Sequence, residues 1–67
     1  MYYIAIFRER DDVRKVYRPL KDAYTRRNGN PTEIKMNCKE LQFPDTALSL
    51  LEQFASNINA RYKLEQK

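Results

Sequence analysis

The chain contains no histidine and no tryptophan, and it has a single glycine and a single cysteine. Each scarcity removes a class of chemistry. Nucleophilic catalysis of the common kind needs a base beside the nucleophile, usually histidine, and glycine loops that cradle phosphates need several glycines. One cysteine, Cys38, forms no disulfide within the chain and cannot build a cysteine zinc site alone. Cys38 is expected as a small, half-buried residue in or beside a strand. No apolar run is long enough to span a bilayer, and Met1 is followed by a strand-like run where a signal peptide would show a basic segment and an apolar core. A cytoplasmic protein, with no membrane partner, is the expectation. Its 67 residues make one domain without a linker, with about 3 to 5 kcal/mol of net stability.

Charge is what the chain does have, and it is unevenly placed. Thirteen basic against nine acidic residues leave +4. Between Arg8 and Arg27 there are eight basic residues (Arg8, Arg10, Arg14, Lys15, Arg18, Lys21, Arg26, Arg27) against four acidic ones (Glu9, Asp11, Asp12, Asp22), whereas from Asn28 onward five of each balance. The whole net charge therefore sits in the N-terminal half.

The most regular periodicity runs from Pro44 to Leu64. At about 100° per residue, Ala47, Leu48, Leu50, Leu51, Phe54, Ala55, Ile58, Arg61 and Tyr62 share a broad face, opposite Ser49, Glu52, Gln53, Ser56, Asn59 and Lys63. This spacing predicts a long C-terminal amphipathic helix, started near Asp45 or Thr46. Residues 2–8 (YYIAIFR) read as a strand, with Tyr2, Ile4 and Ile6 on one face and Tyr3, Ala5 and Phe7 on the other. Val13–Arg18 reads as the returning strand of a hairpin. A helix from Asp12 is the alternative, since Val13, Val16, Tyr17, Leu20, Ala23 and Tyr24 have helical spacing, but Pro19 argues against an unbroken one. Pro19–Asn28 reads as a short helix with Gly29 just past its end, although a hairpin through Asn28 and Gly29 uses the same signals. One or two strands are expected between residues 32 and 43, with Asn37 and Cys38 as a turn or with a bulge in one continuous strand.

The expected fold is α+β: a small antiparallel sheet of three to four strands, a short helix, and the long C-terminal helix packed on one sheet face. Its core is expected to join Leu48, Leu51, Phe54, Ala55, Ile58 and Tyr62 to Ile4, Ile6, Ile34, Met36 and Leu41. At the level of architecture alone, the element order is similar to that of single-strand-binding domains made of an antiparallel sheet and one long helix.

No catalytic residue, metal ligand, cofactor or small-molecule substrate is expected. Asp11 and Asp12 have no visible partners for a coordination shell. Glu33 and Glu40 would need a deep pocket to act as an acid and base pair. The basic cluster carries the functional expectation, a non-enzymatic module contacting nucleic acid through Arg8, Arg10, Arg14, Lys15, Arg18, Arg26 and Arg27. Neutralised phosphates release counterions, guanidinium groups suit bidentate phosphate contacts, and tyrosine or phenylalanine rings interleaved with them can stack bases. The alternative is a small protein-binding regulator or inhibitor, of the kind phages and mobile elements use. It would bind a partner protein or a second copy of itself through the apolar face of the first strand, at Tyr3 and Phe7.

Overall fold

The computed structural model describes residues 1–29 and 33–67. Its elements are β1 (Tyr2–Phe7), α1 (Arg10–Asn28), β2 (Lys35–Asn37), β3 (Glu40–Pro44), a 3-10 turn at Asp45–Ala47, α2 (Leu48–Asn57) and β4 (Tyr62–Gln66). The four strands form one antiparallel sheet in the order β2-β3-β1-β4. This βαββαβ order is the connectivity of the ferredoxin-like split βαβ arrangement. Both helices lie on one face of the sheet, α1 packing on α2, β1 and β3.

The α+β expectation holds, but its two helices exchange roles. Val13–Arg18 is helix and not the second strand of a hairpin, and the short helix expected at 19–28 is the second half of α1. On a strand Val13 and Val16 would point to opposite faces. On the helix both are buried with Leu20 and Tyr24. Burying Val13, Val16 and Leu20 contributes roughly 1.5 to 3 kcal/mol each, which outweighs the roughly 3 kcal/mol cost of an interior proline. Pro19 itself is half-buried, beside exposed Arg18. The helix ends as expected: Gly29 takes φ 70° and its N–H donates to the Thr25 carbonyl at 2.8 Å.

The long C-terminal helix is replaced by a ten-residue α2 and a strand. Asn59 adopts φ 55°, and the N–H groups of Asn59 and Ala60 donate to the carbonyls of Ser56 and Ala55 at 3.1 and 2.9 Å. These two bonds are the paired closure of a Schellman motif, with asparagine in its left-handed position. The chain then reverses and β4 pairs with β1 from Tyr3↔Gln66 to Phe7↔Tyr62. A helix continuing to Leu64 would leave that edge of β1 unpaired. The likeness to single-strand-binding domains with one long terminal helix ends with this correction.

The faces of β1 are also reversed from expectation. Ala5 and Phe7 are buried beneath the helices with Leu41 and Phe43, and Ile4 and Ile6 are half-buried on the other face. Register explains it. Tyr3 pairs with Phe43 and Ala5 with Leu41, so inward Leu41 and Phe43 carry Tyr3, Ala5 and Phe7 inward with them. Phe7 stacks on Tyr62 with centroids 5.4 Å apart, and Tyr3 on Phe43 at 6.0 Å. Such ring pairs add about 0.5 to 1.5 kcal/mol beyond area burial. Of the other expected core residues, Ile34, Leu51 and Ala55 are buried, Leu48, Phe54 and Tyr62 pack at its margin, and Met36 and Ile58 are exposed.

Between β2 and β3 the two-residue turn is Cys38 and Lys39, one position later than expected, because Asn37 pairs with Glu40. Cys38 is exposed there, not half-buried, at φ 53°. The expected strand start at Thr32 lies outside the described residues.

Candidate nucleic-acid interface

All seven sequence-nominated cations are exposed, but the fold sorts them into separate groups. Arg10, Arg14 and Arg18 are four residues apart on α1, so they rise by about 6 Å per step within an arc of about 80°. Lys21 falls in the same arc, and Lys15 stands about 60° outside it, beyond Asp11 and Asp22. Arg26 and Arg27 occupy the last turn of α1. That position favours cations by the helix dipole and lies beyond the central ridge. Arg8 lies apart, in the connection from β1 to α1.

The surroundings of Arg8 are different in kind. Its N–H donates to the Arg61 carbonyl at 2.9 Å, and with Arg61 and Lys63 it borders a groove of about 480 Å³ floored by Ile6, Phe7 and Tyr62. Glu9 and Asp12 border the adjoining hollow with Arg8 and Arg61, so two of the four N-terminal carboxylates reduce the positive charge at this end of the molecule. Asp11 and Asp22 fall along one flank of the α1 ridge at helical spacing. The ridge of Arg10, Arg14, Arg18 and Lys21 is therefore the more strongly positive surface. Sequence reasoning counted Lys21 in the charge but not in the site, and it did not connect Arg61 and Lys63 with Arg8. Spacing at four-residue intervals was the available signal, and it becomes legible only once 10–21 is read as helix.

A second groove, of about 540 Å³, lies beside the ridge and is lined by Arg14, Lys15, Tyr17, Arg18 and Met36. It joins α1 to the edge strand β2. Tyr17 is half-buried, with the Lys21 Nζ 5.6 Å from its ring centroid, a cation–π distance.

The nominated protein interface is not a surface as drawn. Phe7 is 1% exposed in the core and Tyr3 packs on Phe43, because the helices cover that face. The open face carries Tyr2, Ile4 and Ile6 along its middle, flanked by Gln42 and Glu40 on β3 and by Glu65 and Lys63 on β4 at the same register positions. Lys67 closes one end of that face, its Nζ donating to the Gln42 Oε1 at 3.2 Å.

The far end of α1 is tied down by Tyr24. Its hydroxyl donates to the Glu33 Oε2 and lies 3.3 Å from the Thr46 Oγ1. The bond to Glu33 is the main cause that raises the Tyr24 hydroxyl above the ordinary tyrosine value, while Thr46 opposes it. Burial raises Tyr62 in the same direction, with Glu52 adding to it. Among the described residues no group of three or more histidine, cysteine, aspartate or glutamate side chains is gathered. Nor is any helix among them long and apolar enough to cross a membrane.

The fold and the site thus define a small two-layer α+β domain with a basic ridge on its longer helix. Compared with protein-family models, curated proteins and solved structures, the chain matches none.

Proposed function

We propose that this chain is a non-enzymatic cytoplasmic binding module that contacts nucleic acid through the outer face of α1. Arg10, Arg14 and Arg18 make the central phosphate contacts, with Lys15 and Lys21 beside them. Arg26 and Arg27 extend the contact, and Arg8 serves a second, weaker patch. One observation carries this reading, the alignment of three arginines on successive turns of an exposed helix face. Like charges four residues apart on a helix repel by a few tenths of a kcal/mol per pair. A run of phosphates relieves that repulsion and releases counterions as it binds.

Salt tests it. Contact with three to five duplex phosphates weakens binding by roughly 40- to 500-fold between 50 and 200 mM salt. Anisotropy of a fluorescent oligonucleotide reads this change, and Arg14→Gln with Arg18→Gln should flatten the slope. If neither single nor double strands bind at low salt, the proposal is wrong.

The open sheet face favours a second reading, a protein-binding regulator that buries Tyr2, Ile4 and Ile6 against a partner or a second copy. Tyr2 is 36% exposed on this face. Sedimentation of the purified chain tests the dimeric form, and a monomer mass at every concentration removes it.

A further inference from the structure

We propose that the groove between α1 and β2 holds an unstacked base of a single strand, against Tyr17 and Met36, while the adjoining phosphates lie on Arg14, Arg18 and Lys15. The inference rests on the nucleic-acid reading of α1 and names the class of nucleic acid.

The lining of the groove combines two demands. Three of its five residues are cations and the other two are a tyrosine ring and a methionine thioether. Its volume of about 540 Å³ lies within the roughly 300 to 1,000 Å³ of ligand sites. Met36 belongs to the edge strand and pairs with Leu41, which faces the helices. Met36 therefore stands on the helix-covered side of the sheet, yet it is 42% exposed, at the rim where β2 passes beyond the cover of α1. Tyr17 approaches from the helix, with Lys21 over its ring and its side in the groove.

Each simpler ligand meets half of this. An inorganic phosphate or an acidic peptide satisfies the cations and leaves the Tyr17 and Met36 surface wet. A duplex brings phosphates to the ridge but keeps its bases stacked inside the helix. A single strand supplies both, since its bases are free to leave the stack and lie on aromatic side chains.

The test compares a fluorescent oligothymidylate, an abasic strand of the same length, and a duplex, all at low salt. The abasic strand keeps every phosphate and lacks every base. Oligothymidylate should bind at least about fivefold tighter than the abasic strand, the lower end of the stacking contribution of one base. Tyr17→Leu should erase that difference without changing the affinity for the abasic strand, and Tyr17→Phe should keep it. Because Tyr17 is half-buried, Met36→Ala at an exposed position is the second variant, and it should narrow the difference with an unchanged melting temperature. Equal binding of oligothymidylate and abasic strand, or a folded Tyr17→Leu that keeps the full difference, overturns the groove and leaves the phosphate-binding ridge standing. Failure of all three nucleic acids to bind ends both readings. A polyglutamate peptide that binds as tightly as oligothymidylate overturns the groove in favour of an acidic protein partner.

Discussion

The two helices share one layer and one core, yet neither has the length that its local signals suggest. α1 runs 19 residues through a proline, whereas α2 stops after ten although its apolar periodicity continues. The outer face of α1 is charged. That of α2 is nearly neutral, with Ser49, Glu52, Gln53 and Ser56 all exposed. Helix length here follows from what each end must do for the sheet. α1 must carry the chain from β1 across to β2, and its buried positions span Val13 to Tyr24. α2 must end soon enough for the chain to turn and complete the sheet with β4. The shorter helix keeps a nearly neutral outer face, and the longer one carries the surface we propose for binding.

The largest expected effects test whether the two helices are equal partners in the core. Leu20→Ala on α1 and Leu51→Ala on α2 should each cost about 2 to 5 kcal/mol, comparable to the total stability of so small a domain. Circular dichroism melting should show both largely unfolded, while Phe54→Ala, at the core margin, should lose less. A Leu51→Ala variant with an unchanged midpoint would make α1 the sole organiser. Next in size is Pro19→Ala, expected to stabilise by about 2 kcal/mol, because the regained hydrogen bond and relieved clash exceed the added freedom of the unfolded chain. Destabilisation instead would show that the ring of Pro19 packs usefully.

Asn59→Ala probes the other anomaly. It should destabilise by about 1 kcal/mol, since alanine tolerates positive φ poorly, and urea denaturation can read it. Tyr24→Phe should cost about 1 kcal/mol at neutral pH through the lost bonds of its hydroxyl. It also carries a pH signature. Tyr24 and Tyr62 hold their protons more tightly folded than unfolded, so their contribution is complete below the ordinary tyrosine value of 10.0. It is lost as pH rises from there through the raised folded values. The urea midpoint should fall as pH rises above 10.0, and less steeply in Tyr24→Phe. An identical fall in both proteins would leave Tyr62 as the only contributor.

Several features were legible residue by residue. Aromatic and β-branched residues marked β1, Gly29 marked the end of α1, and the arginine-rich segment was visible from the charge count alone. Other positions carried two consistent patterns at once. Val13 to Tyr24 has helical spacing interrupted by a proline, and local rules weigh that proline heavily because its cost is local while the core it allows is not. Tyr62 and Leu64 alternate with Lys63 and Glu65, a strand pattern that also fits a helical wheel continuing from Phe54 and Ile58. β1 is apolar on both faces, so nothing within it decides which face turns inward.

The sequence by itself determined the α+β class, the charge asymmetry and the lack of histidine, because these depend on composition and on short-range periodicity. Only the tertiary structure decided the rest. It joined the segments on either side of Pro19 into one helix and turned Tyr62–Gln66 into an edge strand. It buried Phe7 instead of Ile6, and it set Met36 beside Tyr17 across the α1–β2 groove. Each of those outcomes depends on pairing and packing between segments far apart in the chain, where register with Leu41 and Phe43 outweighs any preference of the residues themselves.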